Sequence, residues 1–139
     1  VALPFTLTIF FCVNLFPNEE IFSEAMGKSC RLKAIQIPCS GMVKDIYLLK
    51  AFESGSDAVL VMACPQGMCR HGEGNLRAAK RVGFVKKILK EIGFGESRLN
   101  LIQLPSGDKK QAHAAIQSIS SELLVLGKNP VGKGDQERK

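Results

Sequence analysis

Short apolar runs alternate with stretches of helical periodicity four times along this chain, which predicts an α/β domain on a parallel sheet. Residues 5–11 (FTLTIFF) are apolar apart from two threonines, as a central strand covered on both faces requires. Residues 32–37, 58–63 (AVLVMA) and 99–104 read as the second, third and fourth strands. In the intervening segments the apolar period lengthens to that of a helix. Asn18 N-caps a short helix with Glu19 and Glu20 in its first turn. Residues 42–53 predict a helix with Val43, Ile46, Leu49 and Phe52 inward, closed by Gly55. A long helix over 75–92 turns Ala79, Val82, Val85, Leu89 and Ile92 to the core and ends at Gly93. Ser106 or Asp108 caps a last helix whose apolar set is Ala112, Ala115, Ile116, Ile119 and Leu123. Right-handed crossovers make this order a small doubly wound, flavodoxin-like parallel sheet of about four strands, with helices on both faces.

A chain of 139 residues fits one such domain, over residues 1–127, able to bury a core without disulfide staples. Beyond it, residues 128–139 turn to Gly, Lys, Asp, Gln and Arg with no apolar anchor after Val131, and read as a flexible basic C-terminal tail. Residues 1–16 are apolar enough to imitate a signal peptide. They lack a basic start and a small-residue cleavage site, and they are shorter than the ~20 residues of a membrane helix. They read as a buried strand running into a loop, with no membrane span.

Hydrophobic residues at 45 % and charged residues at 23 % exclude the disordered and fibrous classes. The formal charge of +6 raises nucleic acid as a partner, but the chain has no Trp, one Tyr and no recognisable nucleic-acid motif. Its cations gather on the long helix, from Arg77 to Lys90, and in the tail. Such a face is either merely solvated or docks an acidic protein.

The five cysteines carry the chemistry. Cys12, Cys39, Cys64 and Cys69 each fall where a strand runs out into a loop, whereas Cys30 stands where a strand begins. In a parallel sheet functional groups collect beyond the carboxyl ends of the strands, so four thiols share one edge. Cys30 belongs at the other end, about 30 Å from Cys39 along an extended strand. Five cysteines with no export signal recognised point to a reducing, cytoplasmic setting in which thiols serve metals or redox chemistry, and the odd count argues against a complete disulfide framework. Four thiolates hold either Zn²⁺ or an iron–sulfur cluster. The spacing is single, single, then Cys64-x₄-Cys69, which suits paired zinc knuckles poorly. Loops from three strand ends form a shallow cup better suited to two iron atoms, and so to a 2Fe-2S cluster. The bland alternative is that each cysteine is a small buried hydrophobe.

The loop from Pro65 to Gly74 is rich in glycine, and Gly67 lets backbone N–H groups approach sulfur. His71, two residues past Cys69, reads as support around the ligands rather than a ligand, and His113 as an ordinary core or surface histidine. No nucleophile elbow and no dinucleotide glycine motif occurs, so no catalytic constellation emerges. A thiol-redox role for Cys64 and Cys69 is weakened by a spacing longer than C-x-x-C.

Three runs, residues 37–43 (IPCSGMV), 49–61 (LKAFESGSDAVLV) and 64–75 (CPQGMCRHGEGN), resemble the delta subunit of methyl-viologen-reducing hydrogenase, over roughly residues 5–105. The resemblance implies an electron-transfer subunit with a 2Fe-2S cluster. It would relay electrons between an oxidoreductase module and a heterodisulfide-reductase-A-like flavoprotein subunit in an anaerobic complex. Residue by residue, Cys12 matches the family's cysteine after the first strand, Cys39 that of the C-S-G turn, and Cys64 and Cys69 the pair in the glycine-rich loop. One departure stands out: the family's C-N-W-C type segment supplies a further cysteine after the first, and residues 12–16 (CVNLF) supply none. That leaves a cluster on four cysteines, an adaptor subunit that has lost its cluster, or a Cys-ligated zinc domain.

Overall fold

The computed structural model describes residues 5–13, 15–16, 30–37, 44–63, 74–105 and 107–127. Four strands, β1 (Phe5–Cys12), β2 (Cys30–Ile37), β3 (Ala58–Ala63) and β4 (Leu99–Gln103), form one sheet in the order β2-β1-β3-β4. All neighbours pair in parallel. Among the described residues three helices accompany them: α1 (Asp45–Glu53), α2 (Gly74–Glu91) and α3 (Lys109–Leu126), with a 3₁₀ turn at Glu96–Arg98 before β4. This is the doubly wound α/β architecture expected from the alternation, and it is consistent with a flavodoxin-like fold. The short helix expected near Asn18 lies outside the described residues.

Strand composition explains strand order. In the two inner strands, β1 and β3, nearly every residue is buried, whereas Lys33 and Gln36 of β2 and Gln103 of β4 are exposed or partly so. Only an outer strand has somewhere to put a charge. Alternation divides the core in two. Leu7, Ile9 and Phe11 of β1 and Leu60 and Met62 of β3 meet Ala112, Ile116, Ile119 and Leu123 of α3. On the other face Phe10, Val59 and Val61 meet Leu48 and Phe52 of α1 and Val82, Val85 and Leu89 of α2. Each such Leu, Ile or Phe contributes roughly 1.5–3 kcal/mol on burial.

Two helix ends correct the periodic reading. In α1, which begins at Asp45, Leu48 and Phe52 are buried four residues apart with Leu49 packed beside them, while Ile46 lies to one side of that stripe and is half exposed. In α2, Ala78 takes the buried place expected for Ala79, and Ile92 is 63 % exposed. The reason is the cap. Gly93 adopts φ +78°, the Gly93 N–H donates to the Lys90 carbonyl (3.2 Å), and the Phe94 N–H reaches back to the Leu89 carbonyl (2.9 Å). This Schellman closure swings Phe94 into the core instead of Ile92. Gly55 ends α1 the same way, with N–H donation from Gly55 to Phe52 and from Ser56 to Ala51. Asp108 N-caps α3, accepting from the Gln111 N–H at 3.0 Å.

The amino edge of the sheet is locked by Asp57 and Arg98. Thr6 N–H donates to the Asp57 carboxylate (2.7 Å), and Asp57 N–H returns to the Thr6 carbonyl (2.8 Å). Arg98, 4 % exposed, donates from Nη1 to the carbonyls of Asp57 and Gly127 (both 2.9 Å), from Nη2 to Leu126 (3.1 Å) and from Nε to Phe94 (3.2 Å). Its guanidinium also lies 5.6 Å from the Phe94 ring centroid. Burial pushes Arg98 below its ordinary pKa, opposed by the Asp57 carboxylate. An arginine starts so far above neutrality that it stays a cation, well matched to the carbonyl end of α3.

Candidate metal centre

Cys12 is the last residue of β1 and stands beside Ile37, the last residue of β2. The turn after it is tied to two neighbours. Val13 N–H donates to the Ile37 carbonyl (2.9 Å), and Leu15 N–H donates back to the Cys12 carbonyl (2.9 Å). The Leu15 carbonyl accepts from Gly107 N–H (2.8 Å), and the Phe16 carbonyl from Gln36 Nε2 (3.3 Å). Leu15 and Phe16 are buried, with the Phe16 ring 6.5 Å from that of Phe11. The thiol of Cys12 belongs to this apolar cluster and is 1 % exposed. Sequence reasoning misses Gln36 and Gly107. A turn-forming S-G-D run before α3 is the available sign for Gly107, while nothing in the sequence marks Gln36 as a strap.

Cys30 opens β2 and pairs with Phe5, at the end of the β1–β2 ladder opposite Cys12. Seven residue steps separate the two ends, about 23 Å at 3.3 Å each. The expected segregation of Cys30 from Cys12 is therefore present in the backbone. Cys39, Cys64, Cys69, Gly67 and His71 lie outside the described residues. Among the described residues no group of three or more His, Cys, Asp or Glu could hold a metal. His113 is half-buried on α3.

A cavity of about 380 Å³ lies between α1 and the outer strand β2, lined by Phe10, Ile35, Ile37 and Tyr47 together with Lys33 and Lys50. No residue proposed as a ligand lines it. The hydroxyls of Thr8 and Ser56 on its floor hydrogen-bond to each other. No described helix is long and apolar enough to cross a membrane.

Comparison with known proteins decides the family. The sequence pattern of the methyl-viologen-reducing hydrogenase delta subunit matches residues 18–127, most of the chain. The chain belongs to that family. The matched stretch contains Cys39, Cys64 and Cys69 and begins after Cys12. The chain is similar to the iron-sulfur subunit of the F420-non-reducing hydrogenase vhu of Methanocaldococcus jannaschii, 32 % identical over 100 residues, 72 % of this chain and 75 % of that one. It is 36 % identical over 96 residues to the F420-non-reducing hydrogenase iron-sulfur subunit of Archaeoglobus profundus, 69 % and 70 % of the two chains. A third likeness, 31 % over 101 residues, is to the heterodisulfide-reductase-A subunit of the ferredoxin/F420H2-dependent CoB-CoM enzyme of Methanosarcina acetivorans, covering 73 % of this chain and 12 % of that protein.

Proposed function

We propose that this chain is an electron-transfer subunit carrying a 2Fe-2S cluster on Cys12, Cys39, Cys64 and Cys69. In this reading it relays electrons between an oxidoreductase module and a heterodisulfide-reductase-A-like flavoprotein subunit of an anaerobic, cytoplasmic complex. Residues 1–127 are its single iron–sulfur domain, 128–139 its basic tail, and His71 and Gly67 support the ligands through hydrogen bonding and close backbone approach. The cluster, when bound, supplies reversible one-electron storage.

The observation that carries the reading is the order β2-β1-β3 of three parallel neighbours, with Cys12 ending the middle one. Adjacent strands lie about 4.8 Å apart, so the three carboxyl ends fall within roughly 10 Å. Chain continuity, at about 3.8 Å per residue, keeps Cys39 within roughly 8 Å of the Ile37 Cα, and Cys64 directly follows Ala63. Cys12 fits the donor set. Its side chain is buried in the apolar cluster that includes Leu15 and Phe16, and solvent exclusion is one of the means by which a protein tunes a cluster. The names of the relatives support the cofactor class and the partner. Two are iron-sulfur subunits of hydrogenases, and in the third a like segment forms part of the heterodisulfide-reductase-A protein itself.

Iron and acid-labile sulfide in anaerobically purified protein test this, with about two of each expected per chain. Reduction should yield a cluster EPR signal, and Cys39→Ala or Cys64→Ala should abolish the visible absorption. One zinc and no sulfide would replace the redox reading by a structural zinc site. A second reading, an adaptor without a cluster, draws on one finding: the family match starts after Cys12, whose burial also suits a core residue. Complete assembly with no iron on this chain would establish it.

A further inference from the structure

We infer that the outer face of α2 is the docking surface for an acidic protein partner, with Phe84 as its apolar anchor. Helix α2 holds six basic residues against the single acid Glu91, a net +5 of the chain's formal +6. Ala78, Val82, Val85 and Leu89 face the sheet. Arg77, Lys80, Arg81, Phe84 and Lys87, at i, i+3, i+4, i+7 and i+10, form the opposite stripe, about 15 Å long. Arg77, Lys80 and Lys87 are exposed, and Phe84 is 54 % exposed.

A helix that needed only solubility would have mixed signs on this face, as i, i+4 pairs of opposite charge stabilise it. Here Glu91, four residues past Lys87, is the helix's single acid against six basic residues, so like charges outnumber such pairs and a carboxylate-bearing surface would relieve the excess. By contrast α3, equal in length, exposes Gln111, Gln117, Ser118, Ser121 and Glu122 beside Lys109 and Lys110. The stripe's chemistry favours protein over nucleic acid. Single strands are held by successive aromatic platforms, whereas one ring among cations calls for one apolar notch inside an acidic rim. A second copy paired through the same stripe would meet it with the same sign of charge.

Position adds a reason. Helix α2 follows β3, so in a right-handed crossover its first turn stands at the carboxyl edge, where the proposed cluster lies. The inference rests on the electron-relay reading in that respect: a partner steered onto this stripe arrives beside the redox site. Small interfaces of this charged kind are typical of transient redox encounters.

The test uses the full-length chain within its co-expressed complex. A photo-crosslinking p-benzoyl-phenylalanine at position 84 should label an acidic peptide of another subunit. Labelling of a second copy of this chain, or no labelling in an assembled complex, would overturn the inference. In the purified chain Lys80→Glu with Lys87→Glu should weaken association with the remaining subunits roughly tenfold or more at low salt. Lys109→Glu with Lys110→Glu on α3 should leave it unchanged. Phe84→Ala should weaken it roughly 30-fold without lowering the thermal midpoint. Equal loss from the α2 and α3 pairs would reduce the effect to net charge and overturn the proposal. So would salt-sensitive binding of a 20-nucleotide single-stranded RNA that only the α2 pair abolishes. Iron and sulfide per chain should be unchanged in every variant, which separates failure of the docking surface from failure of the cluster reading.

Discussion

The two edges of the sheet solve opposite problems. At the amino edge Asp57 and Arg98 direct charged side chains at main-chain groups of β1, of the residue before β3 and of the chain just past α2 and at the end of α3, and the four bonds of Arg98 that end on carbonyls leave the edge closed. At the carboxyl edge the main chain bonds mostly to itself, through Val13 to Ile37, Leu15 to Cys12 and Gly107 to Leu15, with the Gln36 amide added on the Phe16 carbonyl, while the buried residues clustered with Cys12 are apolar. A polar clamp fixes geometry but occupies its donors. An apolar seat holds the Cys12 side chain by packing instead.

That contrast can be broken by mutation, most severely at the amino edge. Arg98→Ala removes the donor from four carbonyls and should cost about 3 kcal/mol or more, lowering the thermal midpoint by roughly 10 °C while folded protein keeps its iron. A loss below about 1 kcal/mol by circular dichroism would show that the clamp does not hold this edge. Asp57→Asn keeps an acceptor for Thr6 N–H but removes the charge on it and beside Arg98, and about 1–2 kcal/mol should go in chemical denaturation. At the carboxyl edge Cys12→Ala deletes only a buried sulfur, about 1 kcal/mol, yet should remove the visible absorption. Absorption that survives would return Cys12 to the core and leave a cluster held by the remaining cysteines. Cys30→Ser, at the far end of β2, should change iron content not at all and stability by under about 0.5 kcal/mol. Iron lost there would mean that the two edges are not functionally separate.

Much of this fold was legible from residue pattern. The runs FTLTIFF and AVLVMA announce inner strands because no polar residue in them needs solvent beyond threonine, and the structure places them at the centre. Helix faces were less legible at their ends. Ile92 continues the apolar period of α2 but is exposed, since Gly93 breaks the helix and the main-chain bond from Phe94 to Leu89 chooses the other side chain. Periodicity carries no information about where a cap reverses the chain. Of the four candidate cysteines the described residues include Cys12, which ends β1 as its place in the sequence suggests. The lining of its turn was not legible, because Gln36 and Gly107 reach the Cys12 turn from segments 20 and more residues away.

By itself the sequence determined the fold class, the four strands, the segregation of Cys30 from Cys12 and the family, because each depends on local periodicity or on short motifs read in order. Tertiary structure alone decided which strands are neighbours, how Arg98 joins three distant segments, and that the turn after Cys12 is strapped from both sides. Those facts depend on contacts between residues far apart in the chain, and a local pattern holds no record of which distant group will satisfy a buried carbonyl or cover a buried sulfur.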